Sequence, residues 1–128
     1  MIILPPALRA LLTENSDRRD DPGHDPAPPL KLFSPVSAAT WLATELDSDG
    51  DTMFGLADLG FGCPELGSFS LGEIGAVRLP FGLFIERDED FASDVPLSRW
   101  AEAARREGSI IAAERALAAK LPPGTPDG

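Results

Sequence analysis

Short runs in which hydrophobic and polar residues alternate fill the middle of the chain, and this pattern is typical of half-buried β-strands. Runs of this kind span residues 30–33, 39–46, 52–59, 65–71 and 83–87. A helix is the rival interpretation of residues 38–46, because Trp41, Leu42 and Glu45 also fit a helical period. We favour a strand, since residues 47–51 follow at once with Gly50 and the composition of a hairpin turn.

Helical periodicity lies mainly at the two ends of the chain. Helices are predicted over residues 5–12, from about 96 to 107, and from 109 to about 121. Gly108 is the expected stop between the last two, and Ser109 is the expected N-cap of the last. Between the fourth and fifth strands, Ser70 and Glu73 have the spacing of a capping box and predict a further short helix.

Together these elements predict an α+β fold in one domain that spans residues 1–121. We expect a single antiparallel sheet of four to five strands, with the N-terminal and C-terminal helices packed on one face. Residues 17–29 carry charges and prolines but no apolar side chain larger than alanine, so we predict a mobile acidic, proline-rich loop there. Residues 122–128 are expected to form a disordered tail.

The negative charge is concentrated in the predicted sheet. Between residues 45 and 94 twelve acidic residues face only Arg78 and Arg87, so this window accounts for the formal net charge of -10. A surface of this kind disfavours direct binding to nucleic acid or to an anionic membrane and favours a basic protein partner. The residues predicted to meet that partner lie in two turns: Asp47, Asp49, Asp51, Asp88, Glu89 and Asp90.

Cysteine and histidine are too few for the commonest metal and disulfide chemistry. Cys63 and His24 are the single residues of their types, so neither an internal disulfide nor a standard zinc site is expected. The alternating acids of residues 47–51 resemble the start of a calcium loop, but Thr52 occupies the position that requires glycine. We therefore expect no metal and no cofactor. The N-terminus lacks a basic lead and no apolar run could span a bilayer, which predicts a cytoplasmic protein.

Asp58 and Glu65 flank a glycine-rich connection, and two neighbouring carboxylates could serve acid–base chemistry in a small metal-dependent enzyme. The sequence offers no nearby His, Lys or Tyr as the second group of such a site. The plainer interpretation is that Asp58 accepts backbone hydrogen bonds in the tight connection. No catalytic residue is predicted.

The block from residue 54 to residue 67, with shorter segments such as 31–35 and 39–42, resembles an uncharacterised bacterial family. Its members look like accessory genes of conjugative plasmids and integrated mobile islands. The likeness covers about residues 4–108, and its specific residues are Asp58, Gly60, Gly62, Pro64, Glu65 and Gly67. The resemblance implies a role in plasmid upkeep, transfer or protection from host defences, and it implies no catalytic activity.

Three functional hypotheses follow. The first is a non-enzymatic acidic interaction module of a mobile genetic element that binds a basic protein, with a DNA-mimicking inhibitor of a host nuclease or defence system as its concrete version. The second is the metal-dependent enzyme that uses Asp58 and Glu65. The third is a structural or regulatory subunit that docks exposed apolar residues in a larger complex. A homodimer is a further hypothesis, in which a basic face on the C-terminal helices meets the acidic sheet of a second copy; its residues are Arg99, Arg105, Arg106 and Arg115.

Overall fold

A computed structural model of the chain describes residues 2–119, so the predicted tail at 122–128 lies outside the described residues. The elements in chain order are α1 (Pro6–Asp17), β1 (Leu30–Phe33), β2 (Thr40–Leu46), β3 (Thr52–Asp58), β4 (Glu65–Ser70), α2 (Leu71–Ala76), β5 (Glu86–Arg87), α3 (Leu97–Glu107) and α4 (Ile110–Ala119). A single 3₁₀ turn, Pro80–Gly82, lies between α2 and β5.

The strands form one five-stranded sheet in the order β4-β3-β2-β1-β5, and every pairing is antiparallel. This confirms the predicted α+β fold and the strand interpretation of residues 40–46. The last strand is shorter than the sequence indicated, because the chain before it folds back on itself. Leu79 N donates to Leu83 O at 2.9 Å, and only Glu86 and Arg87 pair with β1.

The helices divide between the two faces of the sheet and do not share one, which corrects the predicted packing. On the first face, Leu12 of α1 joins a core that includes Leu32 and Trp41. On the second face, Leu42 and Leu56 pack against the apolar sides of α3 and α4. The physical reason is that β2 is buried on both faces, so the residues on both sides of its alternation need a helix to cover them.

A bulge in β2 requires a glycine in the neighbouring strand. The register between β2 and β3 shifts between Ala43 and Glu45. Gly55 lies opposite the bulge, where a Cβ would stand 1.9 Å from the carbonyl oxygen of Leu42. Only glycine therefore fits this position without movement of the backbone.

The helix boundaries follow the capping signals in the sequence. The Ser70 hydroxyl accepts a hydrogen bond from Glu73 N at 3.1 Å, so Ser70 is the N-cap of α2, as predicted. Gly108 adopts a left-handed φ of 89° and ends α3, and the Ser109 hydroxyl accepts from Ala112 N at 3.0 Å at the start of α4.

The segment predicted as a mobile loop makes several defined contacts. Helix α1 continues to Asp17, and His24 Nε2 lies 3.1 Å from Asn15 O. The carboxylate of Asp25 accepts from Ser98 N at 3.1 Å and so caps α3, which has no side-chain cap of its own. Mobility of the segment stays a prediction, but the contacts place part of it against the second face of the sheet.

Within residues 2–119, none of the helices combines the length and the apolar character needed to cross a membrane.

Candidate interaction surface

The hairpin turn between β2 and β3, residues 47–51, will be called the acidic turn. The carboxylate of Asp49 accepts from Asp51 N and Thr52 N, each at 2.8 Å, and from the Thr52 hydroxyl at 2.6 Å. These hydrogen bonds, led by that of the Thr52 hydroxyl, lower the pKa of Asp49 below its ordinary value. Asp49 is therefore first of all a residue that shapes the turn.

Asp51 connects the acidic turn to the next helix. Its carboxylate accepts from the Ser70 hydroxyl at 2.7 Å and from Gly72 N at 2.8 Å. The backbone follows the same path, since Leu71 N donates to Asp51 O at 2.9 Å. The turn and the start of α2 thus form one hydrogen-bonded unit at the end of β3 and β4.

Asp47 and Glu45 share one arginine, Arg19, which follows helix α1. Arg19 forms an ion pair with Asp47, and its guanidinium also lies 3.3 Å from the carboxylate of Glu45. The Asp47 carboxylate accepts a further hydrogen bond from the Ser16 hydroxyl at 3.0 Å. The hydrogen bond with Asp47 raises the pKa of Arg19, while burial raises the pKa of Glu45 despite the nearby guanidinium. Both acids are thus partly neutralised within the fold.

The second predicted acidic turn, residues 88–90, follows β5, the edge strand at the opposite end of the sheet from β4. Asp88 stands 3.7 Å from Lys31 Nζ and accepts from Asp90 N at 3.0 Å. Lys31 also contacts Glu114 of α4 at 2.8 Å. Glu89 is 80 % exposed and meets Arg87 only at 4.0 Å.

The six acids predicted to bind a partner therefore lie in two places separated by strand β1. Five of them make hydrogen bonds or ion pairs inside the fold: Asp47, Asp49, Asp51, Asp88 and Glu89. Glu89 and Asp90 are exposed at β5. The sequence located the acids correctly in turns, but it did not show how many of them the fold itself uses.

Asp58 is completely buried at the opposite end of β3 from the acidic turn. One carboxylate oxygen accepts from Gly60 N at 2.8 Å, and the other accepts from Ile110 N, the first residue of α4, at 2.9 Å. The predicted role as a backbone acceptor in the connection is confirmed. The long-range bond to α4 had no signal in the sequence.

Glu65 does not meet Asp58. In the antiparallel pair of β3 and β4, Glu65 stands opposite Ala57, whose side chain packs against the first-face core. Asp58 points to the second face, where Ile110 lies, so the two carboxylates are on opposite sides of the sheet. Across residues 2–119 no group of three or more His, Cys, Asp or Glu side chains is placed to hold a metal ion.

The connection that follows Asp58, residues 59–63, presents apolar side chains to solvent and will be called the loop tip. Phe61 is 82 % exposed between Gly60 and Gly62, both of which have positive φ, and Leu59 is 57 % exposed. Pro64 is buried and anchors the far end, while Gly67 lies within β4 with nothing near its α-carbon that a Cβ would touch. The family-like block of residues thus builds an exposed apolar loop and the strand after it.

A second exposed aromatic residue lies before β5. Phe81 is 91 % exposed and has a left-handed φ of 65°, which is uncommon for a bulky residue. Sequence reasoning missed both phenylalanines as surface residues. The available signal was the turn-forming residues on both sides of each phenylalanine, Gly60 and Gly62 for Phe61 and Pro80 and Gly82 for Phe81, because such residues favour a turn that leaves the intervening side chain outside.

Comparison with known proteins identifies one family. The sequence model described as "Protein of unknown function (DUF2958)" matches residues 3–111. Neither the curated proteins nor the solved structures include a significant match to the chain.

Proposed function

The chain belongs to the DUF2958 family of unknown function, and we propose that it acts as a non-enzymatic interaction module that binds a basic protein partner through surface carboxylates. We further propose that it acts in the cytoplasm of a bacterium that carries a plasmid or an integrated mobile island. The proposal includes neither a cofactor nor direct contact with nucleic acid.

One observation carries the proposal: a set of exposed carboxylates around the sheet forms no ion pair with any cation of residues 2–119. Within the sheet window, residues 45–94, these side chains are exposed, form no ion pair and accept no hydrogen bond: Glu65, Glu73, Glu86, Asp90 and Asp94. Because none of these carboxylates is engaged in an ion pair or hydrogen bond within the described residues, they are available to a cationic surface. Together with the net charge of -10, they would steer a basic partner toward the sheet edges.

The broader class is favoured over a DNA mimic. A mimic needs carboxylates that stand in for successive phosphates, and those of the acidic turn are held by Arg19, Thr52 and the start of α2. The metal-dependent enzyme lacks support from geometry, since Asp58 and Glu65 lie on opposite faces. The exposed Phe61 and Phe81 support docking in a larger assembly, which is compatible with the proposed module.

The test is affinity capture from the native host with a charge-neutralised variant beside the wild type. In the test variant, the five available acids are changed to their amides: Glu65→Gln, Glu73→Gln, Glu86→Gln, Asp90→Asn and Asp94→Asn. The control variant removes the same charge from exposed helical and loop positions: Glu14→Gln, Asp17→Asn, Asp21→Asn, Glu102→Gln and Glu107→Gln.

We expect the wild type and the control to recover the same basic protein at low salt and to lose it at high salt, because surface attraction is screened beyond about 10 Å at 0.1 M salt. The test variant should recover at most about a tenth as much. Capture that survives high salt, or that the two variants reduce equally, would overturn the proposal.

A further inference from the structure

Strand β4 forms one edge of the sheet, and its outer side is open. Within residues 2–119 it is the last strand in the order and pairs only with β3. Glu65, Leu66 and Ser68 are exposed along it. The opposite edge, β5, has two residues, whereas β4 has six and contains neither proline nor lysine, the residues that commonly protect edge strands.

The hydrogen bonds around β3 determine which backbone groups of β4 point outward. Asp47 N donates a hydrogen bond to Thr52 O, so the backbone N–H and C=O of Thr52 face β2. Leu71 N donates to Asp51 O, so the backbone C=O of Asp51 faces the β4 side. In an antiparallel strand the N–H and C=O of one residue point to the same side, and successive residues alternate. Gly55 therefore faces β4 and bonds with Gly67.

It follows that Leu66 and Ser68 turn their N–H and C=O groups away from the sheet. No described residue bonds to these four groups outside the strand pairing. They are the backbone donors and acceptors that a sixth strand would use. The outward side of β4 is thus a template for an extended chain.

The charges around β4 indicate the chemistry of that chain. Glu65 lies at the start of the strand and Glu73 lies three residues beyond its end. Both are exposed, and neither forms an ion pair within residues 2–119, although Arg105 lines the same surface pocket as Glu65. The loop tip, which precedes β4, adds exposed apolar surface from Leu59 and Phe61 at the Glu65 end of the strand. A strand that lies along β4 would therefore run between two carboxylates and pass beside an apolar loop.

A second copy of this chain does not fit the edge well. Antiparallel pairing of two β4 strands through Leu66 and Ser68 would place Glu65 of each copy opposite Phe69 of the other, so neither acid gains a cation, and the two copies, each with a net charge of -10, would repel one another. An extended basic segment has the opposite charge and meets both carboxylates favourably.

We propose that β4 binds an extended, basic segment of the partner protein as a sixth strand, through the outward backbone groups of Leu66 and Ser68. This inference rests on the proposed function, which supplies the basic partner, and adds the surface and the mode of binding. Main-chain hydrogen bonds would hold the segment, and Glu65 and Glu73 would select its charge.

The first measurement is amide hydrogen exchange, residue by residue, with and without a probe. The probe is a short synthetic peptide that alternates valine and threonine and carries lysine at both ends. Without it, the amides of Leu66 and Ser68 should exchange quickly, while Gly67 between them is protected by its bond to β3. With it, Leu66 and Ser68 should become protected, and a matched peptide with glutamate in place of lysine should protect neither.

The second measurement compares Ser68→Pro with Ser68→Ala. Proline removes the outward N–H and costs no hydrogen bond to β3, whereas alanine keeps the N–H as the matched control. We expect Ser68→Pro to weaken binding of the lysine peptide at least about tenfold relative to Ser68→Ala, the effect of losing one or two hydrogen bonds. The exchange experiment on the wild type decides the question if the proline variant does not fold.

The outcomes separate this inference from the proposed function. Salt-sensitive binding of the lysine peptide with Leu66 and Ser68 unprotected, or equal binding by the two variants, would overturn the edge-strand inference and leave the acidic module intact. No binding of the peptide, together with no salt-sensitive partner in the capture experiment, would overturn both. Protection of Ser68 in the unbound protein that grows with protein concentration would show a second copy on the edge and refute the proposed occupant.

Discussion

The two ends of strand β3 use the same functional group in different ways. At the Thr52 end, the carboxylates of Asp49 and Asp51 remain partly in solvent and bond to residues close in sequence or to the next element. At the other end, Asp58 is completely buried and reaches Ile110, 52 residues further along the chain. Formal charge is therefore a poor guide to the role of an acid here. The depth of burial and the distance in sequence of the donors distinguish the two ends.

Burial makes the Asp58 end the more sensitive of the two. A buried carboxylate is costly unless donors surround it, and Asp58 has two backbone N–H donors, one of which belongs to the first turn of α4. The positive end of the α4 dipole adds to the attraction. The side chain thus connects the loop tip, β3 and the second-face helices in one contact.

The largest expected effect comes from Asp58→Ala. This change leaves Gly60 N and Ile110 N without their acceptor in a buried place, so we expect the free energy of unfolding to fall by about 3 kcal/mol. Urea unfolding at neutral pH measures it. Asp58→Asn is the isosteric comparison: its carbonyl oxygen can keep one of the two bonds, but its NH₂ group then faces the other backbone N–H, so this variant should be destabilised as well. A loss below about 1 kcal/mol for the alanine variant would show that the two ends of β3 are alike.

At the acidic turn the expected effect is smaller. Asp51→Ala removes the bonds to the Ser70 hydroxyl and to Gly72 N, but water can replace them, so we expect a loss of about 1 kcal/mol in the free energy of unfolding. The Ser70 hydroxyl still accepts from Glu73 N, so α2 keeps its cap. Ser70→Ala is the comparison: it removes the bond of its hydroxyl to Asp51 and the cap on Glu73 N but keeps the bond from Gly72 N to Asp51, and we expect it to cost more than Asp51→Ala because the cap is lost. The reverse order would mean that the bond from Gly72 N to Asp51 contributes more than the Ser70 cap.

Features signalled by neighbouring residues were predictable from the sequence, and long-range features were not. The hairpin turn, the capping pair of Ser70 and Glu73, and the stop at Gly108 each need only a few consecutive residues, and each stands in the structure. The cap that Asp25 gives to Ser98 joins residues 73 positions apart. No local pattern can select that partner from the other acids of the loop.

The placement of the helices was missed for a related reason. Alternation along a strand shows that its two sides differ, but it does not show whether one or both are covered. Trp41 and Leu42 are adjacent and both buried, one in each core, and this is the signature of a strand between two layers. For the candidate surface, composition indicated the acidic character, while the open edge of β4 depends on strand order, which the sequence pattern leaves undetermined.

The smallest effect concerns the pH dependence at the acidic turn. Hydrogen bonds from Thr52 and Asp51 lower the pKa of Asp49 in the folded protein below its ordinary value of 3.8. A carboxyl with a lowered folded pKa contributes stability above the pKa of the unfolded chain, and that contribution disappears as the pH falls through 3.8 toward the folded pKa. We therefore expect the wild type to be more stable than Asp49→Asn at neutral pH and the difference to shrink in acid.

Urea unfolding of both proteins at steps from neutral pH to below 3.8 measures this difference. The raised pKa of Glu45 has the opposite effect on stability: because the fold disfavours the ionised form of Glu45, this group lowers the free energy of unfolding as the pH rises. Glu45 is present in both proteins, so its contribution cancels in the comparison. Asp90→Asn controls for the loss of one charge, because that carboxylate accepts no hydrogen bond in the described residues. A wild-type advantage that stays constant with pH would show that Asp49 shapes the turn through its geometry and not through its ionised form.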